Sequence, residues 1–318
     1  MSRTYVRGGH YYARGYRGYY YHGYAYYHYA PAYWYGPHYY GWAYNPWAAP
    51  VVYGWGWGAA PWYGYYGYYF NPYPVYASAS FWLTDYLIAQ NLQAAYEARA
   101  EANAAAQAEV PAEYSGGGGG SNAVVLTPEI KQAIADEVKA QLAAEKEAAA
   151  ASGQNAAATS GNEEKAPAAL DPTYRTFIVA TTLSEQTDDG TECSLSSGDI
   201  LTRISDDPDA DQNVKVIVSG SQKNDCASGS QLAVSVQDLQ DMHNHFREQI
   251  DDGLQSLADN QGKNGLPAAP PANRREDPDA KAEPDQQAAA ELQKQEQDAD
   301  QAESDVQSAA QAGGSQDD

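Results

Sequence analysis

The first eighty residues hold no aspartate, no glutamate and no lysine, in a chain of 318 residues whose formal net charge is −23. Only Arg3, Arg7, Arg14 and Arg17 are charged there, which leaves about −27 on the remainder. An acid-free head therefore precedes a strongly acidic body that repels nucleic acid. Four cations over eighty residues are also too few to hold a phosphate backbone, so no nucleic-acid partner is expected. Long apolar runs are missing too. The best stretch, Phe81 to Ala89, carries Asp85 and falls well short of the roughly 18 to 20 residues that cross a bilayer, so no transmembrane segment is predicted. HExxH, CxxC, GxSxG, P-loop and dinucleotide-binding motifs are all lacking. The expectation is a protein that is not an enzyme, with no catalytic residues, no metal and no cofactor.

What the head has instead is aromatic: 24 of the 28 tyrosines and six of the seven tryptophans lie within residues 1–80, with twelve glycines among them. Tyrosine favours strands, yet a glycine or proline interrupts nearly every run of six, so the sequence predicts an irregular, poorly packed low-complexity segment. Rings joined by glycine make many weak contacts at once. The expected contact makers are Tyr11, Tyr19, Tyr20, Tyr21, Tyr26, Tyr27, Trp34, Trp42, Trp55, Trp57, Trp62, Tyr65, Tyr66, Tyr68 and Tyr69. Arg3, Arg7, Arg14 and Arg17 are expected to lie over such rings as cation-π partners. His10, His22, His28 and His38 read as further polar stickers. The partners expected are copies of the chain itself, another protein or a matrix surface.

From Phe81 the pattern changes. Leu83, Leu87, Ile88, Leu92, Ala95 and Tyr96 recur at helical spacing behind Ser78 or Ser80, predicting a helix over 81–110. Residues 111–126, with Gly116 to Gly120, read as a linker that uncouples the segment before it from the chain beyond. A helix over 127–149 opens with Thr127 as cap, Pro128 in the first turn and Glu129 beside it. Its stripe of Ile130, Ile134, Val138 and Leu142 must dock on the domain that follows, on the earlier helix or on another copy of the chain, a partner the sequence does not choose; Lys131, Glu137, Lys139 and Glu145 lie off that stripe. Residues 150–172 read as a second linker. Short strands at Arg175 to Thr182, Ile200 to Ile204, Val214 to Ser219 and Gln231 to Val236 give one compact unit over 173–236. Ser235 and Asp238 then make a capping box for a helix over 237–258, and 259–318, rich in Gln, Asp, Ala and Pro, reads as an acidic disordered tail.

The two cysteines, Cys193 and Cys226, suit one disulfide in an oxidising compartment, although two reduced core cysteines would look the same. No apolar signal follows Met1, which taken literally predicts a cytoplasmic chain. An export signal upstream of the assigned start would instead place it in the periplasm, the envelope or outside the cell. His243 and His245 lie two apart on the last helix and read as surface histidines, and Asp206, Asp207, Asp209 and Asp211 as a solvated acidic turn.

Leu195-Ser-Ser-Gly-Asp-Ile-Leu-Thr-Arg-Ile204 resembles the diverging-turn signature of SH3-like barrels. The resemblance implies that Gly198 permits the turn and Asp199 ties it down, with barrel strands following. It covers about sixty residues, and the aromatic groove of the peptide-binding members is lacking. A Tyr/Gly-rich head joined to such a barrel resembles bacterial envelope proteins. The fold class expected is thus mostly disordered and low-complexity chain, with a small all-β SH3-like barrel and flanking amphipathic helices, one of them apt for a coiled coil. The function expected is a non-enzymatic structural or adhesive protein of the envelope or extracellular matrix that self-associates through its aromatic head; the alternative is a protein-binding module centred on the barrel.

Overall fold

The computed structural model describes residues 2–7, 10–109, 125–152, 166–223 and 225–276. The first part of the chain forms β1 (Ser2–Arg7), β2 (His10–Tyr21), β3 (Tyr24–Ala30), β4 (Tyr33–Tyr35), α1 (Pro37–Tyr44), β5 (Pro46–Val51), α2 (Pro61–Tyr66), β6 (Tyr76–Ser78) and α3 (Ala79–Glu109). After it come α4 (Pro128–Ser152), β7 (Thr176–Ile178), β8 (Leu183–Gln186), β9 (Glu192–Leu195), β10 (Ile200–Arg203), β11 (Asn213–Gly220), β12 (Gln231–Ser235), α5 (Val236–Asn260) and β13 (Arg274–Glu276). The architecture is mixed α/β.

The head is folded, which corrects the expectation of an irregular segment. β1, β2 and β3 make an antiparallel sheet in that order. His22 and Gly23, both at positive φ (50° and 84°), form the two-residue turn whose twist matches the strands it joins. Glycine does not break β2 because Gly18 pairs with Tyr27, and the Tyr27 ring lies over the space a side chain would fill. Proline, read as an interruption, opens helices instead: Pro37 and Pro61 stand in the first turns of α1 and α2, where no backbone N–H is needed. Tyr39, Tyr40, Tyr66, Tyr69, Phe70 and Tyr76 are buried in one core with Trp82, Leu83, Leu87 and Leu92 of α3.

α4 begins as its sequence predicts, with Thr127 Oγ1 accepting the Ile130 N–H at 3.4 Å. Ile134, Val138 and Leu142 enter the aromatic core, with Ile130 at its margin, because α4 packs on α1, α3 and β7 of the same chain. The stripe is therefore not the seam of a coiled coil, and the segment before the 111–126 linker is not uncoupled from the helix after it. Residues 110–124 themselves lie outside the described residues, but Leu126 is buried and donates its N–H to the Tyr69 carbonyl at 2.9 Å. α5 starts at Ser235, whose hydroxyl accepts the Asp238 N–H at 3.0 Å. α5 crosses α3 closely: a Cβ on Gly253 would overlap Leu83 Cδ2 and stand 3.1 Å from Tyr86 Cδ1.

The expected SH3-like barrel is corrected as well. β12, β11, β10 and β7 form an open four-stranded antiparallel sheet in that order, and β8 with β9 a separate hairpin; among the described residues no sheet closes. Closure is unnecessary because a helix covers the sheet face. Val214, Val216 and Val218 of β11 share a second core with Val236, Leu239 and Met242 at the start of α5. Further along α5, Phe246, Ile250, Leu254 and Leu257 belong to the aromatic core, so one helix joins the two.

Nor does disorder begin at residue 259. Gly262, Asn264 and Gly265, all at positive φ, turn the chain back, Leu266 is buried, and β13 pairs antiparallel with β4. The tail beyond 276 and residues 153–165 of the second linker lie outside the described residues.

Candidate interaction surfaces and buried networks

The aromatic residues expected to make outside contacts divide sharply. Tyr26, Trp62, Tyr66 and Tyr69 are buried, while Tyr19, Tyr21, Tyr27, Trp34, Trp42, Trp55, Trp57 and Tyr65 are half-buried. Tyr20 and Tyr68 remain exposed, Tyr20 at 72 %; Tyr24, beside it across the turn, is 49 % exposed. The side chains of Tyr11, Arg3 and Arg7 lie outside the described residues. Arg14 forms an ion pair with Asp252 of α5 at 2.5 Å. Cations from beyond the head lie over its tyrosine rings: Arg99 over Tyr65, Arg247 over Tyr29, and Arg274 over Tyr33 and Tyr35.

The two edges of the β1–β2–β3 sheet differ. On β3, Asn244 donates to the Tyr27 carbonyl and accepts the Tyr29 N–H, each at 2.9 Å, and Arg247 donates to the Tyr29 carbonyl at 2.9 Å. Side chains of α5 thus satisfy backbone groups that a neighbouring strand would otherwise take. β1 is the other edge, and no strand pairs with its outer side among the described residues. A shallow cleft of about 570 Å³ lies elsewhere, between α1, β5 and Pro267–Ala268. It is lined by Trp42, Trp47, His38 and Lys146 and by no carboxylate. Tyr39, Trp42 and Trp47 stack in sequence there, with centroids 5.5 and 5.6 Å apart.

Of the residues that the sequence places off the α4 stripe, Lys131, Glu137 and Glu145 are buried and each has drawn in a partner, while Lys139 is half-buried. Lys131 pairs with Asp85 of α3 at 2.7 Å, donates to the Asn71 carbonyl at 2.7 Å, and stands 3.7 Å from the centre of the Tyr73 ring. Asp85 Oδ2 also accepts the Tyr76 hydroxyl at 2.6 Å and the Tyr73 N–H at 2.5 Å. Burial raises the Asp85 pKa, and the Lys131 ammonium and these donors oppose it. Glu137 accepts the N–H groups of Arg175 and Thr176, each at 3.2 Å, at the start of β7. Burial nevertheless pushes its pKa up to about 8, so it carries a proton at neutral pH.

Glu145 is buried 3.8 Å from Arg247 and shares its surroundings with Asp251, which accepts the Tyr29 hydroxyl at 2.7 Å. Burial raises both carboxyl pKa values, and the charge of Glu145 raises Asp251 further. Arg247 faces both carboxyls and Arg14 acts on Asp251 as well, but burial outweighs them, which favours keeping a proton on the pair. Tyr16 similarly donates to Glu248. The carboxyl groups missing from the head are thus supplied to its phenols by α3 and α5.

In the β-rich part, Cys193 and Cys226 are disulfide-bonded. Gly198 sits at φ 93°. Asp199 accepts the Ser196 N–H at 2.8 Å and the Gln222 N–H at 2.9 Å, with its pKa raised to about 6 by burial. His243 is not at the surface: it packs on the Tyr174 ring, centroids 4.7 Å apart, and burial lowers its pKa to about 3. His245 is half-buried. Asp209 caps its own turn by accepting the Asp211 and Asn213 N–H groups at 3.0 and 2.8 Å. Among the described residues no three His, Cys, Asp or Glu side chains gather as a metal site would, and no helix is long and apolar enough to cross a membrane.

The class defined by these observations is a mixed α/β protein with an aromatic core and an open sheet on one long helix. Compared with protein-family models, curated proteins and solved structures, the chain finds no match. The likeness to SH3-like barrels and to bacterial envelope proteins is therefore withdrawn, since the sheet is open and no family supports it.

Proposed function

We propose that the chain is a non-catalytic assembly protein whose copies associate through the outer edge of β1. The observation that carries this reading is the asymmetry of the β1–β2–β3 sheet: α5 side chains occupy the β3 edge, and the β1 edge has no such cover among the described residues. An open edge is a template for another strand. Two β1 strands pairing antiparallel about a twofold axis would make one six-stranded sheet and close the assembly as a dimer. The sequence of β1 contains no proline and no acid. Tyr20 and Tyr24 are exposed at the tip of the β2–β3 hairpin, beyond the end of β1 and away from that seam.

This reading narrows the adhesive role expected from composition, because most of the head's rings are spent on its own core. Sedimentation velocity over a concentration series tests it. The wild-type chain should form dimers, and Tyr5→Pro, which spoils β1 as a pairing strand, should abolish them, while Tyr20→Ser with Tyr24→Ser, away from the seam, should leave them unchanged. A wild-type chain that stays monomeric throughout, or a Tyr5→Pro variant that dimerises equally well, would refute the proposal.

A further inference from the structure

We propose that Trp57, Trp55 and Tyr76 form a relay that carries an oxidising equivalent inward from the surface to Tyr76, with Asp85 as the acceptor of the phenolic proton. Trp57 is half-buried and stacks on Trp55, centroids 4.2 Å apart and planes 16° from parallel. Trp55 meets Tyr76 at 6.2 Å and donates its indole N–H to the Tyr76 oxygen at 2.6 Å. Tyr76 is wholly buried and gives its own O–H to Asp85 Oδ2 at 2.6 Å. Ring-to-ring contact is thus continuous from the surface, and a proton path begins where the rings end.

The chemistry follows from the acidity of an oxidised phenol, which must shed its proton to a base already in place. Hydrogen-bond contact in the resting state meets the geometric requirement for such a transfer. Lys131, 2.7 Å from Asp85, favours the ionised carboxylate that the step requires. The co-reactant is an outer-sphere one-electron oxidant arriving at Trp57. It gains one electron, which Trp57 loses and regains from Trp55, as Trp55 does from Tyr76. The Tyr76 O–H bond breaks, the proton passes to Asp85 Oδ2, and Tyr76 is left as a neutral phenoxyl radical accepting the Trp55 N–H bond. A one-electron donor reverses the sequence and the proton returns. Burial separates this radical from the ring-to-ring coupling that is open to an exposed phenol such as Tyr20.

The inference is independent of the assembly reading. Its test is photo-oxidation by a ruthenium polypyridyl complex with persulfate, followed by freeze-quench electron paramagnetic resonance on the full chain. A long-lived neutral tyrosyl signal is expected in the wild type, lost in Tyr76→Phe, slower to form in Trp57→Phe and shorter-lived in Asp85→Asn. Trp57→Phe acts at the half-buried end of the relay and keeps the test decisive where Tyr76→Phe or Asp85→Asn fails to fold. An unchanged tyrosyl yield in Tyr76→Phe, or an unchanged rate of formation in Trp57→Phe, overturns the proposal.

Discussion

Two cores stand at opposite ends of α5 and are made of different material. The core at its start is aliphatic, built from Val214, Val216, Val218, Leu232, Val234 and Leu239 with one disulfide. The core further along sets nine buried tyrosines and tryptophans among its aliphatic side chains. An aliphatic core asks only for close packing, whereas each buried tyrosine also brings a hydroxyl that needs a partner. The head has no carboxylate of its own, so Tyr76 uses Asp85, Tyr29 uses Asp251 and Tyr16 uses Glu248. The difference teaches that an acid-free aromatic segment folds here only as half of a polar interface, with later helices as the other half.

The strongest way to break that comparison is Asp85→Ala. It removes the acceptor of Tyr76 and leaves the Lys131 ammonium buried without its counter-ion. Loss of one member of a buried pair costs about 3–5 kcal/mol, and urea denaturation should show a loss of that size. A loss typical of a surface substitution would mean that the aromatic core does not depend on its borrowed carboxylate. Next comes the disulfide, for which the aromatic core has no counterpart among the described residues. Cys193 and Cys226 are 33 residues apart, and closing a loop of that length stabilises by about 3–4 kcal/mol in the chain-entropy account. Cys193→Ser with Cys226→Ser should lower the denaturation midpoint accordingly, and an unchanged midpoint would show that the aliphatic core needs no crosslink.

Much of the aliphatic end was legible in the sequence, and little of the aromatic end was. Thr127-Pro128-Glu129 and Ser235 with Asp238 mark helix starts because capping is local chemistry between residues three apart. The alternation in β11 shows because one face of that strand is buried. The partners of the head's phenols left no such trace: Tyr29 and Asp251 lie 222 residues apart, and no periodicity near either one announces the other. Gly18 read as a strand breaker because the Tyr27 ring that covers it belongs to the next strand. Nothing in the sequence marked Lys131, Glu137 and Glu145, charged and off the stripe, as buried, yet α4 is enclosed on more than one side. The barrel failed for a related reason: a turn motif specifies a turn, and whether a sheet closes depends on what covers its face.

Glu137 lies between the two regions, reaching from α4 to the first residues of β7, and it sharpens the comparison through pH. Its folded pKa is raised to about 8 from a model-compound value of 4.5. The folded chain therefore holds a proton that the unfolded chain releases between those values. Its contribution is fully present below the unfolded pKa and is lost as pH rises through the folded one. Stability should fall by on the order of 3–4 kcal/mol from roughly pH 5 to pH 8 on this account, and Glu137→Gln should flatten that fall. Denaturation midpoints that run parallel for wild type and variant across the interval would show that the joint does not titrate.

The smallest effect compares two phenols of β3, one facing α5 and one packed in the aliphatic core, because it removes the same oxygen atom from each. Tyr29 donates to buried Asp251 at 2.7 Å, whereas Tyr26, packed in the aliphatic core, donates to Gln212 at 3.3 Å. Tyr29→Phe keeps the ring but strands a buried acceptor, which costs about 1–2 kcal/mol. Tyr26→Phe gives up a longer bond to a half-buried side chain, whose acceptor can turn to water, and its cost should be within about 0.5 kcal/mol. The ranking of the two variants in thermal denaturation, more than either value, is the measurement. Equal costs would mean that the Tyr29 hydroxyl is incidental to the packing of the head on α5. A clear excess for Tyr29→Phe would place part of the head's stability in the phenol-to-carboxyl contacts that tie it to α5.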